Sequence, residues 1–410
     1  MKLFTCLLLF IYVLTENIGQ RLGLDRNLAN DCLLVFAVLL IMLMGRVGKL
    51  MHPPYLYVTA GFVATLLMRY HQGIMSNSFQ PLLNLLLPVL VLVVVMQIRA
   101  RKERMQKVLV NLFIVNSCIA IIEFITKTHV IGWVENTYTG GYVQFDDAQF
   151  RSVALWGGPL ANAELTCCIN GFLLYSSIKK KYYLFFLGTL AIMAYNARTS
   201  FYINAAVFAL YSITNFHNFK AKQKRLLAGL LVAVAVTVPF ILLHTNMGSR
   251  LLLGADDDSG SIDVRLQLFD YAMSMNYKDF LFGMSAKGLT DLHSVIGVKV
   301  IENFWLLYIF HYGIIVTAYF VTAYCFVFRS TFKAYKLTTA LTLILGTIII
   351  LSSTNGLYSS YNGLLMLLLC GYVFAPQKNM MNVNYSKYSR RNETLLGQPV
   401  NVLIRGDGFS

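Results

Sequence analysis

Arginines beside apolar runs are the residues of this chain whose type and placement could do chemistry. Arg151 stands in Phe150-Arg151-Ser152-Val153, and Arg198 in Asn196-Ala197-Arg198-Thr199-Ser200, between two apolar stretches. Arg265 opens an amphipathic stretch inside a long polar segment. A guanidinium stays charged at any working pH and grips phosphate oxygens with paired N–H donors. Three of them converging would form an anion clamp. Each also has a plainer reading. Arg198 could be a connector reaching headgroup phosphates, and Arg151 stands on the same footing. Arg265 could be a solvated helix residue paired with Asp263 or Asp270.

Proton transfer has its own candidates. Glu302-Asn303 directly precedes the apolar run that opens with Phe304-Trp305. A carboxylate partly withdrawn from water has a raised pKa and can serve as a general base. An acid at a helix start is favoured equally by the helix dipole alone. His293 is a second potential base, or an incidental loop histidine, while Asn303 would position a substrate. Arg250, Glu123 and Glu164 read as surface or structural residues, and His311 as a buried hydrogen-bonding one. The run Asp256-Asp257-Asp258-Ser259-Gly260-Ser261-Ile262-Asp263 lacks the bidentate glutamate of a calcium loop and reads as a solvated acidic turn. The chain contains no P-loop, dinucleotide fingerprint, metalloprotease motif or nucleophile elbow. The sequence therefore calls for no nucleotide, metal or other cofactor.

Apolar helices carry these residues. Of 410 residues, 57% are hydrophobic and 13% charged, about half the charged fraction of an average soluble domain. A membrane span needs about 20 mostly apolar residues. About 12 candidate spans fall near residues 3–14, 31–44, 54–68, 81–98, 108–125, 160–176, 182–195, 199–213, 226–243, 303–328, 337–352 and 361–374. Connections between spans alternate in charge. One set carries 23 of the 34 basic residues and three of the 19 acidic ones, a net +20; the other carries 11 and 16, a net −5. Basic residues collect on the cytoplasmic side, so both termini are expected there. The same rule accounts for the net charge of +15 without nucleic acid as a partner. The first apolar run lacks a small-residue cleavage site and reads as a retained span rather than a signal peptide. All seven cysteines lie in or beside apolar runs, without metal-ligand or disulfide-framework spacing.

The expected fold is thus all-α, a polytopic transmembrane helical bundle over residues 1–375. Residues 245–302 form a large extracytoplasmic loop containing short helices, and 126–159 form a second one. Residues 376–410 form a polar cytoplasmic tail drawn to anionic headgroups. Within the large loop, Ser261 or Asp263 is placed to cap a helix over residues 264–275. Leu268, Phe269, Tyr271, Ala272 and Met275 would form its apolar side.

Three segments in this order resemble the O-antigen polymerase/ligase family of bacterial envelope enzymes. Arg151-Ser152-Val153-Ala154-Leu155-Trp156-Gly157-Gly158-Pro159-Leu160 is similar to that family's Arg-then-Gly/Pro stretch before a span. Ala197-Arg198-Thr199-Ser200-Phe201 is similar to its Ser-Arg-Thr span entry. The third segment runs from Val264-Arg265 through Phe280-Leu281-Phe282-Gly283-Met284 to Glu302-Asn303-Phe304-Trp305-Leu306-Leu307 and Tyr312-Gly313-Ile314. The likeness covers residues 100–330. The family's second glycine is displaced here to Lys287-Gly288. Glu302 stands where ligases carry a histidine, which favours polymerase over ligase.

The resemblance implies glycosyl transfer at the outer face of the bacterial cytoplasmic membrane, without a metal or nucleotide. The donor would be an oligosaccharide on undecaprenyl diphosphate and the acceptor a sugar hydroxyl of another lipid-linked repeat unit. Arg151, Arg198 and Arg265 would hold the diphosphate, and Glu302 or His293 would take the proton. Membrane lipids, a chain-length regulator and a flippase of the same pathway would be partners. A ligase passing finished glycan to another acceptor is the alternative. A transporter or flippase of lipid-linked sugar would instead place charge at mid-membrane, whereas this chain concentrates it in one outer loop.

Overall fold

A computed structural model describes residues 53–71, 79–97, 102–130, 150–156, 158–216, 259–296, 303–353 and 362–376, with isolated positions between 221 and 232. Among the described residues every regular element is helical. In chain order these are α1 (Pro53–His71), α2 (Phe79–Gln97), α3 (Lys102–Thr126), α4 (Pro159–Tyr175), α5 (Lys181–Ala194) and α6 (Arg198–Asn215). Then follow α7 (Ser259–Ser274), α8 (Tyr277–Phe282), α9 (Ala286–Ile296), α10 (Phe304–Thr331), α11 (Leu337–Ser352) and α12 (Asn362–Val373). Apolar segments expected near 54–68, 81–98, 108–125, 160–176, 182–195, 199–213, 303–328, 337–352 and 361–374 are all helices. The candidates near 3–14 and 31–44, most of 226–243, and the tail lie outside the described residues.

Two helices, α3 with 25 residues and α10 with 28, are each long and apolar enough to cross a membrane. Shorter apolar helices cover Pro81–Met96, Lys181–Ala194, Leu337–Ser352 and Asn362–Val373. Helices apolar on every side belong inside a bundle, and α2 and α12 obey this. Every residue from 81 to 95 of α2 is buried, as is nearly all of α12. Central α4 buries more polar residues, Asn162, Glu164, Thr166 and Asn170, where α2 buries Asn84 and α12 Asn362. Asn170 Nδ2 donates to Phe185 O at 3.1 Å and to Asn204 Oδ1 at 3.0 Å, and Asn204 Nδ2 donates to Thr189 Oγ1 at 2.9 Å. These bonds stitch α4, α5 and α6 together where hydrophobic burial alone would leave register loose.

Contacts fix the direction of each helix. Arg69 near the end of α1 lies over Tyr312, while Tyr57 near its start takes a hydrogen bond from Tyr319 at 2.8 Å, so α1 and α10 are antiparallel. Trp305 Nε1 at the start of α10 donates to Ser352 Oγ at the end of α11 at 2.9 Å. Gly363 at the start of α12 packs on Leu351, and Gly371 near its end on the Phe332 ring. The bundle therefore has two distinct ends. One gathers Lys102, Lys179, Lys180, Lys181, Lys333 and Lys336, the basic end. The other gathers the ends of α1, α3, α5 and α11, the starts of α4, α6, α10 and α12, and the helices α7 to α9.

The large loop folds more fully than its sequence pattern suggested. The helix expected over 264–275 spans Ser259–Ser274, and α8 and α9 follow it. Leu268 and Ala272 of α7 and Leu289 and Leu292 of α9 pack with Met284 against Leu306, Leu307 and Phe310 of α10. One apolar cluster thus seats the loop helices on the first turns of α10.

Candidate functional site

At the loop end, residues 150–156 run without helical hydrogen bonds between α3, α4 and α5. Backbone N–H groups buried without partners would cost about 1–3 kcal/mol each, so each needs an acceptor. Glu123 on α3, itself fully buried, serves two of them. Its Oε2 accepts from Val153 N at 2.8 Å and Ala154 N at 2.9 Å, and its Oε1 from Val130 N at 3.0 Å. His129 Nδ1 stands 3.7 Å from Oε2. Asn116 Oδ1 accepts from Leu155 N at 3.0 Å, and Asn162 Oδ1 from Trp156 N at 3.2 Å. Ser152 N donates to Ala194 O at 3.2 Å, and Ser152 Oγ to Ala120 O at 2.6 Å. Ala154 is thereby held at φ +48°, a left-handed conformation that a residue with a Cβ adopts at a cost of about 1–2 kcal/mol.

This strap presents Arg151 to the turn that leads from α5 into α6. Arg151 Nε donates to Tyr195 O at 3.3 Å and Nη2 to Asn196 O at 3.4 Å. Asn196 takes φ +55° there, a conformation that asparagine tolerates better than most residues. Two positions on, Arg198 is the first residue of α6. Arg151 and Arg198 are both partly exposed. Tyr195, behind the turn, accepts from Asn116 Nδ2 through its hydroxyl at 2.7 Å. Asn116 therefore ties both the strap and the turn to α3. Two arginines 47 positions apart in the chain are thus brought to one turn.

A second junction lies where the loop helices meet α10. That helix is interrupted at Gly313, with φ +78° and ψ +166°. Gly283, after α8, has φ +86°. A Cβ on Gly313 would strike the backbone of Leu281 and Phe282, and one on Gly283 the backbone of His311 and Tyr312. The two glycines let the main chains touch, and Met284 N donates to Phe310 O at 2.7 Å. At the head of α10, Asn303 Oδ1 accepts from Trp305 N at 3.1 Å and Leu306 N at 3.3 Å. It is a side-chain cap satisfying two of the donors that a helix start leaves open.

Of the three arginines named as a clamp, Arg151 bonds the turn that directly precedes Arg198. Asn303 stands at the same end with its amide oxygen engaged as a cap. Arg265 lies in α7 and His293 in α9, and the side chains of both are outside the described residues, as is Glu302 entirely. Glu123 has the structural role expected of it. Sequence reasoning passed over Arg69, which is 0% exposed in the last turn of α1. Its one signal was a cation ending an apolar run on the side that carries few cations. No protein-family model matches the chain, and no curated protein matches it.

Proposed function

We propose that this chain is a multi-pass membrane glycosyltransferase that polymerises cell-surface polysaccharide from repeat units carried on undecaprenyl diphosphate. In this reading the bundle has about 12 spans, both termini are cytoplasmic, and the loop end faces outward. The observation that carries the reading is the Arg151–Arg198 turn. It puts two partly exposed cations at the end of the bundle opposite the lysine-rich connections, the end that also carries the folded loop helices. A lipid diphosphate is an activated leaving group, so the transfer needs electrostatic stabilisation more than covalent help. The acceptor hydroxyl oxygen attacks the anomeric carbon, the bond from that carbon to the diphosphate oxygen breaks, and the diphosphate leaves on its lipid. Arg151 and Arg198, with Arg265 from α7, stabilise the charge gathering on the leaving oxygens. The hydroxyl proton passes to Glu302 or His293. Asn303 orders the start of α10 beside Glu302.

The test is the glycan profile of a deletion strain and of strains carrying Arg151→Ala or Arg198→Ala at normal membrane levels. The expected result is single repeat units in place of a polymer ladder, with a loss of about 100-fold or more in polymer for each arginine variant. Accumulation of free lipid-linked polymer would favour the ligase reading. An unchanged ladder in the deletion strain would sink both.

A further inference from the structure

Arg69 is a buried cation that the proposed chemistry does not use. No part of it is exposed, so it cannot touch a substrate in this conformation. Taking a guanidinium out of water is costly, and a methionine would fill the same space without that cost. What the cation provides is a directed bond. Arg69 Nη1 donates to Met284 O at 3.3 Å, and its guanidinium lies 5.6 Å from the centre of the Tyr312 ring. Its position in the last turn of α1 adds the favourable end of a helix dipole. Met284 and Tyr312 are the neighbours of Gly283 and Gly313, the two glycines at which the loop meets α10. The peptide groups of Met284 are thus held from two sides, its N–H by Phe310 O of α10 and its C=O by Arg69 of α1.

We infer that Arg69 is a positioning residue, a latch that fixes the loop helices on α10. It thereby sets where α7, α9 and the entry to α10 stand relative to the Arg151–Arg198 turn. The inference rests on the glycosyltransferase reading for the consequence of the latch, but not for its existence. Arg69→Met removes the donor and the charge, Arg69→Lys keeps both in a different shape, and Arg69→Gln keeps a neutral donor.

Two measurements on the full chain separate the questions. Hydrogen exchange of the purified protein, followed on peptides covering residues 277–289, reads the latch directly. Arg69→Met is expected to speed exchange there at least tenfold, equivalent to about 1.4 kcal/mol, and Arg69→Lys to restore most of the protection. Polymer length in cells reads the consequence. It should fall in Arg69→Met and recover in Arg69→Lys, a rescue that mere filling of space would not give. Unchanged exchange in Arg69→Met overturns the latch. Faster exchange with a normal polymer ladder overturns its positioning role. Should Arg69→Met fail to accumulate, Arg69→Gln decides, with exchange at least about threefold faster expected and unchanged exchange overturning the inference. If the deletion strain keeps its polymer, the functional reading fails and exchange alone still decides the latch.

Discussion

The strap at residues 150–156 and the junction at Gly283 and Gly313 solve one problem in opposite ways. Both carry non-helical backbone through an apolar interior, where each unpaired N–H or C=O is costly. In the strap, side chains reach across from neighbouring helices. Glu123, Asn116 and Asn162 accept from four of its N–H groups, and one main-chain bond, Ser152 N to Ala194 O, joins them. At the junction side chains are absent where the contact is closest, and main chain bonds main chain. The strap should therefore fail when a polar side chain is lost, and the junction when a side chain is gained. The strap holds the turn before Arg198 through Arg151. The junction seats a layer of helices that is otherwise attached by a small apolar cluster.

Removing the Glu123 carboxylate tests the strap hardest. Glu123→Ala leaves three backbone donors without their acceptor, an expected loss of about 3–6 kcal/mol. Accumulation in membranes, or the midpoint of thermal unfolding in detergent, should show it, and near-normal stability would break the comparison. Glu123→Gln keeps one acceptor oxygen and should lose less. Gly313→Ala is the matching test of the junction. The left-handed φ and the collision with Leu281 should together cost about 2–4 kcal/mol, seen as faster hydrogen exchange over residues 277–289 while residues 150–156 keep their protection. Exchange rising equally in both regions would mean that they are one unit.

A smaller effect is expected from Asn116→Leu, about 1–3 kcal/mol. It frees Leu155 N and removes the Asn116 bond to the Tyr195 hydroxyl, so a loss of polymer larger than the loss of stability would tie the Arg151–Arg198 turn to activity. Asn303→Ala should cost about 1 kcal/mol through the lost cap, and Asn303→Ser should return most of it. An activity defect in Asn303→Ser at full stability would point to a role for the amide beyond capping. The smallest effect is the coupling between the regions. Glu123→Gln and Gly313→Ala share no partner, so their unfolding penalties should add to within about 0.5 kcal/mol.

Much of the helical framework was legible because it depends on local composition. Long apolar runs are helices here since a helix satisfies its own backbone, and the observed bounds lie within a few residues of the runs. Charge alternation anticipated the two ends of the bundle for the same reason, since it is counted along the chain without knowing any contact. Arg151 and Arg198 could be named as cations beside apolar runs, and Gly283 and Gly313 lay in segments singled out by resemblance. The roles of Asn116, Asn162 and Arg69 were not legible. An asparagine in an apolar run has the same local signature whether it carries a strap or faces a neighbour.

Local composition alone marks which stretches are apolar helices, where basic and acidic residues collect, and which arginines border the helices. The tertiary structure decided that Arg151 meets the turn before Arg198, that Glu123 holds the strap, and that Met284 is gripped by α10 and by Arg69, 215 positions away. The physical reason is one of range. Helix formation and hydropathy are fixed by residues a few positions apart, whereas a buried donor accepts whichever partner the packing of distant helices brings within hydrogen-bond reach.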